Sequence, residues 1–176
     1  MRTDRLAVLT SGLLAAALAL SQAAWARADT VEARPAPATE LACDGTADPA
    51  LAADARSYAL PDAGGMLWLV PCIRGSYQTA YNAVVVPEDG APRRLLFALW
   101  RDQSWTGTAD LFDPAFDPQT GILSDQYKDR GLGDCGGPRR WQWEGSDFRL
   151  REYRARSECN GSDAAFPVIF EAPADA

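Results

Sequence analysis

The stretch RRWQWEGSDFRLREYRA, residues 139–155, decides the fold of this chain. Apolar and polar residues alternate on both sides of its central Gly145-Ser146 pair, which is typical of two β-strands that each bury one face. Gly at the first central position suits a two-residue type II′ turn. The register set by that turn places Trp143 opposite Phe148, so that aromatic residues share one face. The stretch therefore predicts an antiparallel hairpin.

A glycine-rich segment, GLGDCG at residues 131–136, comes just before this hairpin. It matches the string G-x-G-x-x-G, which in dinucleotide-binding proteins opens a helix whose N–H groups bind phosphate. Here a strand pattern follows the glycines, and no helix pattern does. The hairpin register places Cys135 opposite Arg156, three residues before Cys159, and a β-bulge in 136–138 would absorb the offset. The segment predicts a cross-linked hairpin rather than a nucleotide site.

The cysteine content agrees with such cross-linking. Cys43, Cys72, Cys135 and Cys159 form an even set without C-x-x-C spacing, and the chain contains no His. Zinc sites need closely spaced Cys or His ligands, so we expect two disulfides and neither a metal nor a cofactor. Three pairings are formally available, of which we favour Cys43 with Cys72 and Cys135 with Cys159. The lack of His also excludes Ser-His-Asp and Cys-His catalysis.

The first residues have the layout of a secretory signal peptide over 1–26. Arg2 and Arg5 precede an uncharged run, Leu6–Leu20, and small residues up to Ala26 offer a cleavage site. The run is shorter than the roughly 20 residues that span a bilayer, so we expect no membrane anchor. These features predict a periplasmic or secreted protein, the compartments in which disulfides persist.

The remaining chain predicts one mostly β domain over 43–172, preceded by a disordered Ala- and Pro-rich leader over 27–42. Asp48 followed by Pro49 predicts the start of one short N-terminal helix. The strands expected from apolar runs are 66–72, 76–86, 93–100, 122–123 and 166–170, in addition to the hairpin. This pattern indicates a small antiparallel β barrel or sandwich, with a blade-like arrangement left open.

Charge and aromatic residues indicate the class of partner. The net charge is −7, which repels nucleic acid and anionic membrane surfaces and attracts basic proteins. In WRDQSW, polar residues surround Trp100 and Trp105, and with Arg101 these form the candidate contact site for a partner. We expect a non-enzymatic binding or inhibitor module whose partner is a basic envelope protein or a glycan.

The alternative function is a carboxylate-dependent glycan hydrolase. Asp125, Asp129, Asp134, Glu144 and Asp147 lie near one another in sequence, and two carboxylates about 5 to 10 Å apart can act on a glycosidic bond. Asp134 and Glu144 form the candidate acidic site. Because Asp residues also populate β-turns for structural reasons, we assign none of them as catalytic.

Two segments resemble a known family. They are GGMLWLVPCIRGSYQTAYNAVVV at 64–86 and FDPQTGILSDQYKDRGLGDCGGPRRWQWEGSDFRLREYRARSEC at 116–159. They are similar to an exported proteobacterial family classed as domain of unknown function eleven seventy-six, and the resemblance covers about residues 58–170. It implies an exported, β-rich protein and supplies no activity or catalytic residues.

Overall fold

The computed structural model describes residues 36–45, 48–62 and 64–173. These residues contain two short helices, α1 (Ala36–Ala42) and α2 (Pro49–Ala52), and twelve strands. The strands are β1 (Arg56–Ala59), β2 (Met66–Arg74), β3 (Thr79–Val86), β4 (Arg93–Arg94), β5 (Phe97–Arg101), β6 (Ser104–Thr108), β7 (Asp110–Phe112), β8 (Ala115–Asp117), β9 (Ile122–Lys128), β10 (Gly136–Trp143), β11 (Phe148–Arg154) and β12 (Val168–Glu171). The predicted signal peptide, 1–26, lies outside the described residues.

The strands form two open five-stranded sheets and one separate hairpin, and every pairing is antiparallel. The first sheet has the order β1-β2-β3-β4 with β7 also paired to β3, and the second has the order β12-β11-β10-β9-β8. Strands β5 and β6 pair only with each other in the part of the chain that the structure describes. The prediction of a mostly antiparallel β fold is confirmed, and no closed barrel forms among the described strands.

The β10–β11 hairpin has the predicted register near its turn. Trp143 pairs with Phe148, and Gly145 has a φ of 80°, as a type II′ turn requires. The predicted position of the bulge is wrong, since the register shifts between Arg140 and Trp141 rather than in 136–138. The extra residue, Arg151, lies on β11, which brings Gly136 instead of Cys135 opposite Arg156.

The glycine-rich segment leads directly into strand β10, as expected, and not into a helix. A Cβ atom on Gly136 would lie 2.3 Å from the carbonyl oxygen of Tyr127, and one on Gly137 would lie 1.8 Å from that of Arg154. Both positions therefore need glycine because neighbouring backbones approach closely. Cys135 is bonded to Cys159 and Cys43 to Cys72, so the favoured disulfide pairing is confirmed.

A shared core lies between the two sheets. Leu67, Leu69 and Val85 of the first sheet and Leu123 and Trp141 of the second belong to one buried cluster. The apolar run of β2 is continuous because its other face is covered as well, by a second cluster that includes Trp68, Val70 and Ala38 of α1. Both faces of β2 are thus removed from water.

Helix α1 corrects the prediction of a disordered leader over 27–42. Ala38 and Ala42 are fully buried against the first sheet, and the adjacent Cys43 is tied to β2 through Cys72. Small Ala side chains allow this close packing, which a composition-based reading of the segment does not detect. Residues 27–35 lie outside the described part of the chain.

Other element boundaries differ from the predictions. Helix α2 begins as expected, with the Asp48 side chain accepting a hydrogen bond from the Ala50 N–H at 2.8 Å, but it ends after four residues. The strand expected over 93–100 is split into β4 and β5, with Leu96 70% exposed between them. The strand expected at 122–123 extends to Lys128.

Candidate functional site

The candidate site is built on the β5–β6 hairpin, which the sequence pattern does not predict. Its turn residues, Asp102 and Gln103, both have positive φ values, 51° and 59°, as in a type I′ turn. The turn sets Trp100 directly opposite Trp105. The usual signal for this turn, an Asn-Gly or Asp-Gly pair, is lacking because Gln occupies the second position, and the hairpin was therefore missed.

Two rings of the hairpin pack with two from the second sheet in a cluster that we call the aromatic platform: Trp100, Trp105, Tyr153 of β11 and Phe170 of β12. The ring of Trp105 lies 5.1 Å from Trp100 and 5.2 Å, edge to face, from Tyr153. Trp105 remains 46% exposed and Phe170 37% exposed. The platform thus presents apolar area to solvent on a side chain whose position is fixed by its neighbours.

Tyr153 fixes the hairpin to the second sheet. Its side chain is fully buried, and its hydroxyl oxygen accepts a hydrogen bond from the Trp100 N–H at 3.0 Å. The Tyr127 hydroxyl lies 3.3 Å from the same oxygen, and burial raises the pKa of Tyr127 above its ordinary value. The Tyr127 phenol therefore stays neutral, and the two hydroxyl groups serve as hydrogen-bonding groups in the support of the platform.

Two cavities open beside the platform and share Arg101, Tyr127 and Asp129 in their walls. The outer cavity, about 420 Å³, is also lined by Trp100, Asp102 and Ser157. The inner cavity, about 270 Å³, is also lined by Leu99, Thr108, Asp110, Phe112, Lys128 and Arg139. The Arg101 guanidinium donates to Asp129 Oδ1 at 3.1 Å and joins the end of β5 to the residue after β9.

A buried ion pair lies beneath the inner cavity. Arg139 Nε donates to Asp125 Oδ1 at 2.8 Å, and both side chains are completely buried. The guanidinium also lies 5.2 Å from the centre of the Tyr127 ring and 5.1 Å from that of Trp141. Burial raises the pKa of Asp125, whereas the neighbouring Arg139 cation opposes this rise. Since neither charge reaches solvent, we assign the pair a structural role.

The structure does not bring the two predicted acidic-site residues together. Asp134 precedes β10 and Glu144 follows it, and the eight residues of this strand alone span roughly 26 Å at 3.3 Å per residue. Two carboxylates acting on one glycosidic bond stand about 5 to 10 Å apart. The geometry therefore gives no support to a hydrolase that uses this pair.

Each of the two carboxylates is engaged by arginine. Arg130 donates to both oxygens of Asp134, at 2.7 and 2.5 Å, and this contact lowers the pKa of Asp134 to about 2. The Gly161 N–H also donates to Asp134, which ties together the loops around the Cys135–Cys159 disulfide. Glu144 accepts from Arg151 at 3.3 Å at the other end of the strand.

The partner-contact residues predicted from the sequence do lie together. Trp100 and Trp105 pair across the hairpin, and Arg101 lines both cavities next to them. Asp129, a candidate carboxylate, belongs to the same site through its bond to Arg101. Tyr153 and Phe170 were missed because they reach the platform from distant strands, and spacing along the chain does not show this.

These features define a disulfide-bonded, two-sheet β protein with an aromatic hairpin beside two cavities. In the described residues, no helix is both long enough and apolar enough to cross a membrane. The chain belongs to the family described as "Protein of unknown function (DUF1176)", whose model matches residues 14–172. The family expected from the resemblance is thereby confirmed. The two disulfides are consistent with an extracytoplasmic location.

One curated relative is "Uncharacterized protein YpfG" of Escherichia coli (strain K12). It is 34% identical over 111 residues, which cover 59% of this chain and 31% of the relative. The chain thus spans about a third of the length of the curated relative it matches. No solved structure matches the chain.

Proposed function

We propose that this chain is an exported, non-enzymatic binding module that holds a glycan on the aromatic platform. The proposal rests above all on Trp105, whose indole is held by Trp100 and Tyr153 while almost half of it faces solvent. A sugar ring has an apolar C–H face and a rim of hydroxyl groups. The fixed indole of Trp105 can stack on the apolar face, and the polar side chains of the outer cavity, which Trp100 also lines, can bind hydroxyl groups of the same glycan chain.

Export forms part of the proposal. Residues 1–26 have the charge and apolar pattern of a signal peptide, and both disulfides would form in an oxidising compartment. We therefore place the protein in the periplasm or outside the cell. Fractionation of the producing cells, with mass spectrometry of the mature N-terminus, tests this placement. Intact Met1 on a cytosolic product would refute it.

Glycan binding is tested by sedimentation with purified insoluble glycans: peptidoglycan sacculi, cellulose and chitin. The protein should be recovered with at least one of them, and Trp105→Ala should reduce the bound fraction strongly. Leu96→Ala is the matched control, because Leu96 is a large apolar residue, 70% exposed, on a loop outside the platform. Equal loss in both variants, or no binding to any glycan, would refute the proposal.

A basic protein partner is the other outcome that the test must recognise, since the net charge of −7 attracts such proteins. The charges that line the outer cavity, however, are Arg101, Asp102 and Asp129, and one pair of them is already neutralised. Inhibition of lysozyme that weakens with salt and is unchanged in Trp105→Ala would assign the function to the general acidic surface instead of the platform.

A further inference from the structure

We infer that the Arg101–Asp129 pair is the hydrogen-bonding element of this site and that its ligand is a neutral saccharide with adjacent hydroxyl groups. This inference rests on the proposed function. The pair lies in the wall shared by the two cavities, and Trp100, the neighbour of Arg101, belongs to the platform. The outer cavity thus includes both the pair and Trp100, and a saccharide chain long enough to extend from Trp105 into this cavity would meet the pair.

The pair has unused hydrogen-bonding capacity. The side chains of Arg101 and Asp129 are joined by one bond, from Nη2 to Oδ1 at 3.1 Å, and neither makes another described side-chain hydrogen bond. A guanidinium carries five N–H groups, and a carboxylate has two acceptor oxygens. The side chains are 58% and 34% exposed, respectively. Donors and an acceptor thus remain available to a ligand.

The buried Arg139–Asp125 pair beneath the inner cavity differs from the Arg101–Asp129 pair in its number of hydrogen bonds and in its exposure. Arg139 uses both Nε and Nη2 on Asp125, and neither side chain is accessible to solvent. Arg101 and Asp129 have the same chemistry but a single bond and open surroundings. Exposed pairs of this kind add little to stability. The Arg101–Asp129 pair is therefore free to serve a ligand at small cost to the fold.

An Arg–Asp pair is complementary to two adjacent hydroxyl groups of a sugar. One hydroxyl donates its proton to the carboxylate while the other accepts from the guanidinium, and charge-assisted bonds of this kind are the stronger ones. The C–H face of another ring of the same saccharide chain can then lie on the indole of Trp105. This arrangement requires hydroxyls on neighbouring carbons, which distinguishes glucans from polymers of N-acetylated amino sugars.

The charged groups that line the outer cavity disfavour acidic saccharides. The outer cavity is lined by one cation, Arg101, and two anions, Asp102 and Asp129. Arg101 is already paired, and the chain as a whole carries a net charge of −7. A uronic acid polymer would meet repulsion at long range and, in the outer cavity, the carboxylate of Asp102, which forms no ion pair with the described residues. A neutral ligand avoids both effects.

Calorimetric titration with hexasaccharides tests the inference. The neutral probes with adjacent free hydroxyls along the chain are cellohexaose and maltohexaose. In chitohexaose an acetamido group replaces each 2-hydroxyl, so that only the non-reducing end keeps a hydroxyl pair, and hexagalacturonate is acidic. The protein should bind at least one of the first two, and at least about tenfold more tightly than either of the others, a difference of about 1.4 kcal/mol. Arg101→Met and Asp129→Asn should each weaken this binding about tenfold.

Arg149→Met is the matched control, because Arg149 is an exposed arginine on the β10–β11 hairpin that also pairs with a carboxylate. It should bind as the unmodified protein does. Asp129→Asn should in addition narrow the preference for neutral over acidic probes, a change that a purely structural role would not produce. Thermal melts confirm that each variant is folded.

Three results would overturn the inference: equal affinity for chitohexaose, preference for hexagalacturonate, or binding unaffected in Arg101→Met. If any of these results occurs while Trp105→Ala still abolishes glycan binding, the aromatic platform remains the binding site and only the inferred ligand class is wrong. If no probe binds and Trp105→Ala retains the sedimentation behaviour of the unmodified protein, the proposed function itself fails.

Discussion

Replacement of Arg139 by Met tests the structural role of the buried Arg139–Asp125 ion pair beneath the inner cavity. The variant leaves the Asp125 carboxylate completely buried without its cation, while Met retains much of the volume of the Arg stem. Removing one partner of a buried pair costs about 3 to 5 kcal/mol. For a domain of this size the melting temperature should fall by roughly 10 to 15 °C.

The assay is urea unfolding at pH 7, followed by the fluorescence of the buried Trp residues, with thermal melts as a second measure. Arg140→Met is the matched control, since Arg140 is the next residue on β10, is 52% exposed, and pairs with Glu152 at 3.6 Å. It should cost no more than about 1 kcal/mol. Asp125→Leu combined with Arg139→Met should cost less than Arg139→Met alone, because no buried charge remains.

The pH dependence of the stability of Arg139→Met distinguishes the loss of the Arg139 charge from the loss of its packing. Burial already raises the pKa of Asp125, and removal of the opposing Arg139 cation should raise it further. A carboxyl whose folded pKa lies above its unfolded value penalises folding at high pH, and this penalty disappears as the pH falls through the folded value. Arg139→Met should therefore recover stability on acidification. A cost equal to that of Arg140→Met, or independent of pH, would refute this reasoning.

Three further predictions concern the region of the second disulfide. Replacement of Cys135 and Cys159 by Ala should lower the free energy of unfolding by about 3 to 4 kcal/mol, measured by urea unfolding, because the bond closes a loop with a sequence separation of 24. Because contact with arginine lowers the pKa of Asp134 to about 2, its stabilising contribution should be lost as the pH falls from about 4 to about 2, and Asp134→Asn should flatten that part of the stability curve. Gly137→Ala should destabilise by at least about 2 kcal/mol in thermal melts, because its Cβ would lie 1.8 Å from the Arg154 carbonyl oxygen; an unchanged melt would contradict this close approach.

The elements that the sequence predicted well are those whose signals are local. The β10–β11 hairpin was predicted from the alternation of apolar and polar residues around Gly145. The disulfide between Cys135 and Cys159, at the open end of this hairpin, was predicted from the approximate strand register. The bulge was misplaced because either strand of a pair can absorb an extra residue. Helix α1 was missed because its stability comes from burial of Ala38 and from the link to Cys72, neither of which is a local property.

The candidate site was predicted only in part, for the same reason. Trp100, Arg101 and Trp105 are close in sequence, and their polar neighbours marked them as candidates. Their supports come from elsewhere in the chain: Tyr153 from β11 and Asp129 from the residue after β9. Tertiary packing brings these groups together, and a single sequence does not show such long-range contacts.

The most direct test of the central claim is a nitrogen-15 NMR titration that follows the indole N–H signals of the Trp residues. Cellohexaose and maltohexaose serve as the ligands. We expect at least one of them to shift the signal of Trp105, and to a lesser degree that of Trp100, while the signals of the buried Trp141 and Trp143 stay in place. Shifts confined to the buried indoles would contradict a glycan site on the aromatic platform, and an unchanged Trp105 signal with both sugars would contradict its occupation by a neutral glucan.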